Sequence, residues 1–198
     1  YKAGLKNIHA YINHIHGEPM ELVLANTING LSKYVHEYQP DMIIVHGDRI
    51  EALAGATVGA LRNILVAHIE GGELSGTVDG LIRHSVSKLS HVHFVANQQA
   101  ANRLRQLGES ERSIYLIGSP DIDVMLSKEL PSLDVVRHYY EIPFAEYGIV
   151  LYHPVTTELD KQQEYSYYRH ENHKVLSQHI YFQFPLVLSP IFLYPLNR

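Results

Sequence analysis

The run Met42-Ile43-Ile44-Val45, followed at once by His46-Gly47-Asp48-Arg49, decides the fold of this 198-residue chain. Four consecutive apolar residues bounded by polar ones predict a short strand buried on both faces, the kind that parallel sheets contain. After it, Ile50 to Leu61 is Ala-rich and helical, and Ile64 to Ile69 is a second buried run. The alternation continues with a helix from Asp79 to Ser90, a strand from His93 to Ala96 and a helix from Asn97 to Leu107. Ile114 to Ile117 closes the series before Gly118-Ser119-Pro120. Before the deciding run, Glu21 to Tyr38 reads as a helix, with Val23, Leu24, Ile28, Leu31 and Val35 on one side and Pro40 just past its end. Strand and helix alternating at this period predict an α/β fold, a parallel sheet with helices on both faces. There is no repeat of fixed period and no low-complexity tract.

Composition narrows the class. The chain is 45% hydrophobic, ample for a core, and 16 Lys+Arg against 21 Asp+Glu leave a net charge of −5. That balance argues against a protein that binds nucleic-acid phosphates. The absence of cysteine excludes a disulfide scaffold, thiolate catalysis and cysteine-ligated metal. A soluble, cytoplasmic globular protein is expected. The chain opens at Tyr1 with Leu5, Ile8, Ile12 and Ile15 at helical spacing, already amphipathic, so it reads as a piece of something longer. No signal-peptide pattern is visible. Ile180 to Leu196 is mostly apolar, but Pro185, Pro190 and Pro195 exclude a regular membrane-spanning helix there. Residues 1–129 read as the first domain, 130–146 as a connecting helix and linker, and 147–198 as the start of a second α/β unit. That unit opens with the strand Tyr147 to Tyr152, and beyond Glu158 its periodicity fails.

In an open parallel sheet, ligands bind beyond the carboxyl ends of the strands. The polar residues there are His46-Gly47-Asp48-Arg49 after the first strand and Glu70-Gly71-Gly72-Glu73 after the second. The loop Leu74-Ser75-Gly76-Thr77 then leads to a helix near Asp79. Three carboxylates, Asp48, Glu70 and Asp79, are thus expected on one rim, a set suited to proton transfer. Asp79 also fits a helix N-cap or first turn, and Arg83 fits either a substrate contact or an i,i+4 ion pair with Asp79. His91 and His93, or His170 and His173, could pair on a metal, but neither pair has a third ligand at a recognisable spacing. No glycine-rich dinucleotide turn and no phosphate loop is present.

Four stretches together resemble the UDP-N-acetylglucosamine 2-epimerases: Val45-His-Gly-Asp-Arg49, His68-Ile-Glu-Gly-Gly-Glu-Leu-Ser-Gly-Thr-Val-Asp79, Ile82-Arg-His84 and His153-Pro-Val-Thr-Thr157. The likeness runs from about Glu18 to Glu158 and fits best the hydrolysing branch, which includes sialic-acid-pathway enzymes. The non-hydrolysing branch has alanine where Gly72 stands and lacks the Ser-Gly-Thr loop. The resemblance implies a glycosyltransferase-B-like fold of two Rossmann-like domains, here without the opening strand and with the second domain truncated. It implies anti elimination of UDP followed by water addition, giving N-acetylmannosamine or a di-acetamido analogue, with no metal and no other cofactor. Asp48, Glu70 and Asp79 match the family's catalytic acids. Arg49 and His153 match residues near the UDP phosphates, and Arg83 matches one that orients the carboxylates or contacts the nucleotide sugar. The partners it implies are a UDP-sugar and further copies in a dimer or tetramer, with neither nucleic acid nor membrane. Alternatives are the non-hydrolysing 2-epimerase reaction, a glycosyltransferase of the same fold, and a non-catalytic fragment. The truncated chain is expected to be inactive or nearly so.

Overall fold

The computed structural model describes residues 7–13, 17–143, 147–151, 180–182 and 191–195. The chain falls into two compact units, Tyr1–Lys128 and Glu129–Arg198. In the first, α1 (Met20–Tyr38) leads to β1 (Met42–His46), α2 (Ile50–Leu61), β2 (Leu65–Ile69), α3 (Val78–Lys88), β3 (Val92–Val95), α4 (Gln98–Gln106), β4 (Ile114–Leu116) and α5 (Pro120–Met125). The strands form a sheet in the order β1-β2-β3-β4, parallel throughout. These are the elements expected from the alternating pattern, shifted by a residue or two at their ends. Ile64, expected in β2, instead closes α2, its N–H donating to the Gly59 carbonyl at 2.9 Å after Asn63 turns through φ 55°.

Helices were expected on both faces; among the described residues the core lies on one face of the sheet. The register pairs Ile43 with Val66, Val45 with His68 and His68 with His93, which puts these side chains on one face. On that face Val45 and Val66 pack with Ala52 and Ala56 of α2 and with Ile82 and Val86 of α3. Val95 packs there with Ala100, Ala101 and Leu104 of α4. The strand order explains this. Each strand is laid down on the same side of its predecessor, and right-handed crossovers then carry every connecting helix over the same face. The expectation that β1 is buried on both faces therefore fails: Val45 is buried, while Ile44, on the other face, is 61% exposed.

The amphipathic opening stretch is not helical over residues 7–13, and Ile12 is exposed. This segment lies along α1 instead, with Tyr11 against Gly30 and the Asn13 amide donating to Thr27 Oγ1 at 2.7 Å. Side-chain docking onto a preformed helix outweighs a weak local periodicity. The short helix α5 was not expected; Pro120 in its first turn, with Asp121 and Asp123, supplies the start signal.

The second unit contains α6 (Leu133–Tyr139), β5 (Tyr147–Leu151), β6 (Ile180–Phe182) and β7 (Ile191–Pro195). The strand expected at Tyr147 is present. It pairs antiparallel with β7, which pairs antiparallel with β6, rather than in the parallel manner of an α/β unit. The eight-residue connection between β6 and β7 is too short for a parallel crossover, which needs about a dozen residues or more. No helix among the described residues is long and apolar enough to cross a membrane.

Leu104 is fully buried in the cluster that seats α4 on the sheet. Leu104→Ala should lower unfolding stability by about 2–5 kcal/mol through lost burial and the cavity left behind. Urea denaturation checks this, and a loss below about 1 kcal/mol would place the core elsewhere.

Candidate active site

The parallel register sets His46 of β1 beside Ile69 of β2, so the turns leaving both strands emerge together at one edge of the sheet. The Gly47 N–H donates to the Ile69 carbonyl at 3.0 Å, and the Glu70 N–H donates to the Phe94 carbonyl at 2.8 Å. Gly47 sits at φ +74° with open space where a Cβ would be, so its glycine serves the left-handed turn rather than a close approach. Glu70 adopts φ 62° without being glycine, an uncommon backbone state for such a residue.

Arg83, on α3, joins the two turns. One guanidinium nitrogen donates to the Asp48 carboxylate, and Nη1 donates to the Glu70 carbonyl at 2.7 Å. The partner expected from i,i+4 spacing was Asp79, and the structure corrects this: Arg83 reaches across to β1. Asp79 lies in the first turn of α3, where its carboxylate accepts from Thr77 Oγ1 at 2.8 Å and its N–H is capped by the same hydroxyl. Asp48 also accepts from Ser75 Oγ at 3.3 Å. The two oxygens of Glu70 face different partners, His46 Nε2 at 2.9 Å and Ser119 Oγ at 3.1 Å. Asp48 and Glu70 thus share one rim under a single cation. Asp79 begins the helix that supplies that cation. Arg49 is largely exposed and bonds Glu51 at 3.1 Å. His153 lies outside the described residues, as do His170 and His173.

The loop after Glu70 is pinned to α4. Gly72, at φ +77°, lies so close to the Ala100 carbonyl that a Cβ there would collide with it. The Gly72 carbonyl accepts from Arg103 at 3.0 Å, and Asn97, the N-cap of α4, donates to Glu73 at 2.6 Å. Beneath the rim, His68 is fully buried. Its Nε2 donates to the Gly47 carbonyl at 2.8 Å, and its Nδ1 faces Ser87 Oγ at 3.1 Å. Gly71 passes close enough that a Cβ would stand 2.9 Å from that Nδ1.

His46, Ser75 and Ser119 were not singled out from sequence. His46 and Ser119 obey the same rule that found Asp48 and Glu70, since each stands at or just past a strand's carboxyl end. Ser75 lies in the Ser-Gly-Thr loop that marks the resemblance, but its contact with Asp48 is set by the fold of that loop. The paired metal histidines separate: His91 Nδ1 accepts from the Val66 N–H at 3.1 Å, while His93 faces Glu109 at 3.3 Å. Among the described residues no group of three or more potential ligands converges on a metal position.

Burial pushes the His68 imidazole down to about 4, with neighbouring His93, Arg83 and His46 acting in the same direction against the Gly47 hydrogen bond. His93 is lowered too, again chiefly by burial. A histidine held neutral when folded binds protons more readily when unfolded, so stability falls as pH drops from about 6.5 toward about 4. His68 should account for about 2 kcal/mol of the loss between pH 7 and pH 5. Denaturant melts at both pH values should show a smaller difference for His68→Gln than for the unaltered chain; an equal difference would remove His68 as the titrating group.

A sequence model of the family described as UDP-N-acetylglucosamine 2-epimerase matches residues 2–185. A UDP-N-acetylglucosamine 2-epimerase of Neisseria meningitidis serogroup B is 59% identical over 80% of this chain and 42% of its own length. A hydrolysing UDP-N,N'-diacetylbacillosamine 2-epimerase of Legionella pneumophila is 37% identical over 71% of this chain and 38% of its own. The crystal structure of a Neisseria meningitidis UDP-GlcNAc 2-epimerase bound to UDP-GlcNAc superposes with a TM-score of 0.59. It is 23% identical and covers 66% of this chain and 37% of that one, which shows a shared fold. The chain therefore spans about two fifths of the length of the curated relatives it matches. Its α/β sheet, the two strand-end turns and the family match over nearly the whole chain agree, and the chain belongs to the UDP-N-acetylglucosamine 2-epimerase family.

Proposed function

We propose that this chain carries the acid–base rim of a hydrolysing UDP-N-acetylglucosamine 2-epimerase. The reaction releases UDP and N-acetylmannosamine, or a di-acetamido analogue, by anti elimination and then addition of water. The observation that carries this reading is the Ser75 hydroxyl on Asp48, beside the Arg83 link from Asp48 to Glu70. The Leu-Ser-Gly-Thr loop is the segment in which the chain resembles the hydrolysing branch, and it touches a carboxylate of the rim directly. Gly72 adds support, because alanine would meet the Ala100 carbonyl at that backbone position. The Legionella pneumophila relative named as hydrolysing points the same way.

In this reading Asp48, Glu70 and Asp79 supply acid–base chemistry at C2 and during water addition. Arg83 holds Asp48 and the Glu70 backbone in register, and Arg49 and His153 face the diphosphate, where positive charge stabilises the departing group. A second reading, the non-hydrolysing reaction, has one observation in its favour: the name of the 59% identical relative carries no hydrolysing qualifier.

Product analysis separates the two. Incubated with UDP-N-acetylglucosamine, a version extended to the full length of its relatives should release UDP and free N-acetylmannosamine; accumulation of UDP-N-acetylmannosamine would overturn the hydrolysing assignment. Asp79 is exposed, so Asp79→Asn should change stability by no more than about 0.5 kcal/mol. Its kcat should fall about 10²–10⁴-fold. A steady-state assay alongside a thermal melt checks both, and unchanged kcat would remove Asp79 from the catalytic set.

A further inference from the structure

Ser119 stands just past the end of β4, whose ladder continues as the Ile117 N–H donates to the Val95 carbonyl at 3.0 Å. The chain then turns at Gly118, φ +83°, and Ser119 is the residue before α5. A serine in that place ordinarily turns its oxygen back to accept from the N–H groups of the first turn. Ser119 does not. Its side chain makes no capping hydrogen bond, and only its carbonyl serves the helix, accepting from Ile122 at 3.1 Å and Asp123 at 3.3 Å. The hydroxyl lies instead 3.1 Å from Glu70 Oε1. The backbone of Glu70 allows this meeting. β3 lies between β2 and β4, and Glu70, with φ 62° and its N–H on the Phe94 carbonyl, crosses the end of β3 toward the turn after β4. An ionised carboxylate only accepts, so the hydroxyl donates, and a hydrogen bond to a charged oxygen is among the stronger kinds.

We propose that Ser119 is a positioning residue of the reaction: its hydroxyl, diverted from helix capping, holds the Glu70 carboxylate in the orientation from which it exchanges protons with the substrate. The proposal rests on the reading of the chain as a 2-epimerase in which Glu70 is an acid–base group. A glutamate side chain has several rotatable bonds, and a change of rotamer carries its oxygens well away from a reacting atom. A misplacement of about 1 Å can cost about 10²-fold in rate. With Ser119 on one oxygen and His46 on the other, the carboxylate is held from both sides. Its side chain is still one-fifth exposed, so it is aimed without being closed off. The rim thus draws on a third strand end, with Asp48 after β1, Glu70 after β2 and Ser119 after β4.

The test uses the protein extended to the full length of its relatives, with UDP release from UDP-N-acetylglucosamine as the assay. Ser119→Ala should lower kcat about 10–10²-fold while KM stays within about twofold of the parent. The urea midpoint should not move, since no capping bond is lost. Ser119→Thr returns the hydroxyl and should recover most of the loss, because the extended backbone there, φ −99° and ψ 123°, suits a β-branched residue. The pair with Glu70 separates positioning from mere structure. If Ser119 acts through that carboxylate, Ser119→Ala lowers kcat no further in a Glu70→Gln background. A folded Ser119→Ala protein within about threefold of the parent overturns the proposal alone. So does a Ser119→Thr protein as impaired as the alanine variant, or an undiminished further loss beside Glu70→Gln. A Glu70→Gln protein as active as the parent removes Glu70 from the acid–base set, and this proposal with it. A parent that releases no UDP overturns the 2-epimerase reading itself.

Discussion

The guanidinium of Arg83 is the contact on which the rim depends. It is mostly buried, it pairs with an Asp48 carboxylate that is itself largely covered, and it takes the Glu70 carbonyl on its other nitrogen. The turns leaving the two adjacent parallel strands are also tied by the Gly47–Ile69 backbone hydrogen bond and the His46–Glu70 contact, but only Arg83 joins Asp48 to the Glu70 main chain. A planar cation with several fixed donors can bridge a side chain and a main-chain oxygen at once, which an ammonium does less well. Removing one partner of such a covered pair typically costs about 3–5 kcal/mol, because the other charge is left without compensation. The same contact therefore serves stability and geometry together.

Below this cation lies a second tier that fixes the turns from inside the sheet. His68 ties the Gly47 carbonyl to Ser87 of α3, so the turn bearing Asp48 and the helix bearing Arg83 share a buried anchor. Gly71 leaves the room this imidazole needs. On the far side, Arg103 and Asn97 fasten Gly72 and Glu73 to α4. Helices α3 and α4 thus each make polar contacts with the loop they pack beneath. Burial of apolar faces positions the helices, and hydrogen bonds from α3 and α4 hold the turns that bear the carboxylates.

Much of this was legible in the sequence, because buried parallel strands write themselves as short apolar runs and their carboxyl ends are where polar residues gather. Asp48 and Glu70 were found that way, and their shared rim is a direct consequence of register. What could not be read were the partners. Arg83 looks like a companion of Asp79 when only helical spacing is considered, since the distance to Asp48, thirty-five positions away, is decided by strand order. The contacts of Ser75 with Asp48 and of Ser119 with Glu70 were hidden for the same reason. The second face of β1 was misjudged because an apolar run signals burial without saying whether the covering layer belongs to the segments at hand. The weak periodicity of the opening residues lost to the docking of Tyr11 and Asn13 on α1.

Glu70 holds a backbone conformation that glycine would occupy with less strain, and two glycines follow it directly. Such a conformation costs a non-glycine residue about 1–3 kcal/mol, which the hydrogen bonds of the Glu70 carboxylate to His46 and Ser119 help to offset. Replacing Glu70 by glycine would relax the backbone but release both His46 and Ser119, so the turn would exchange main-chain strain for the loss of its ties to β1 and to the residue before α5.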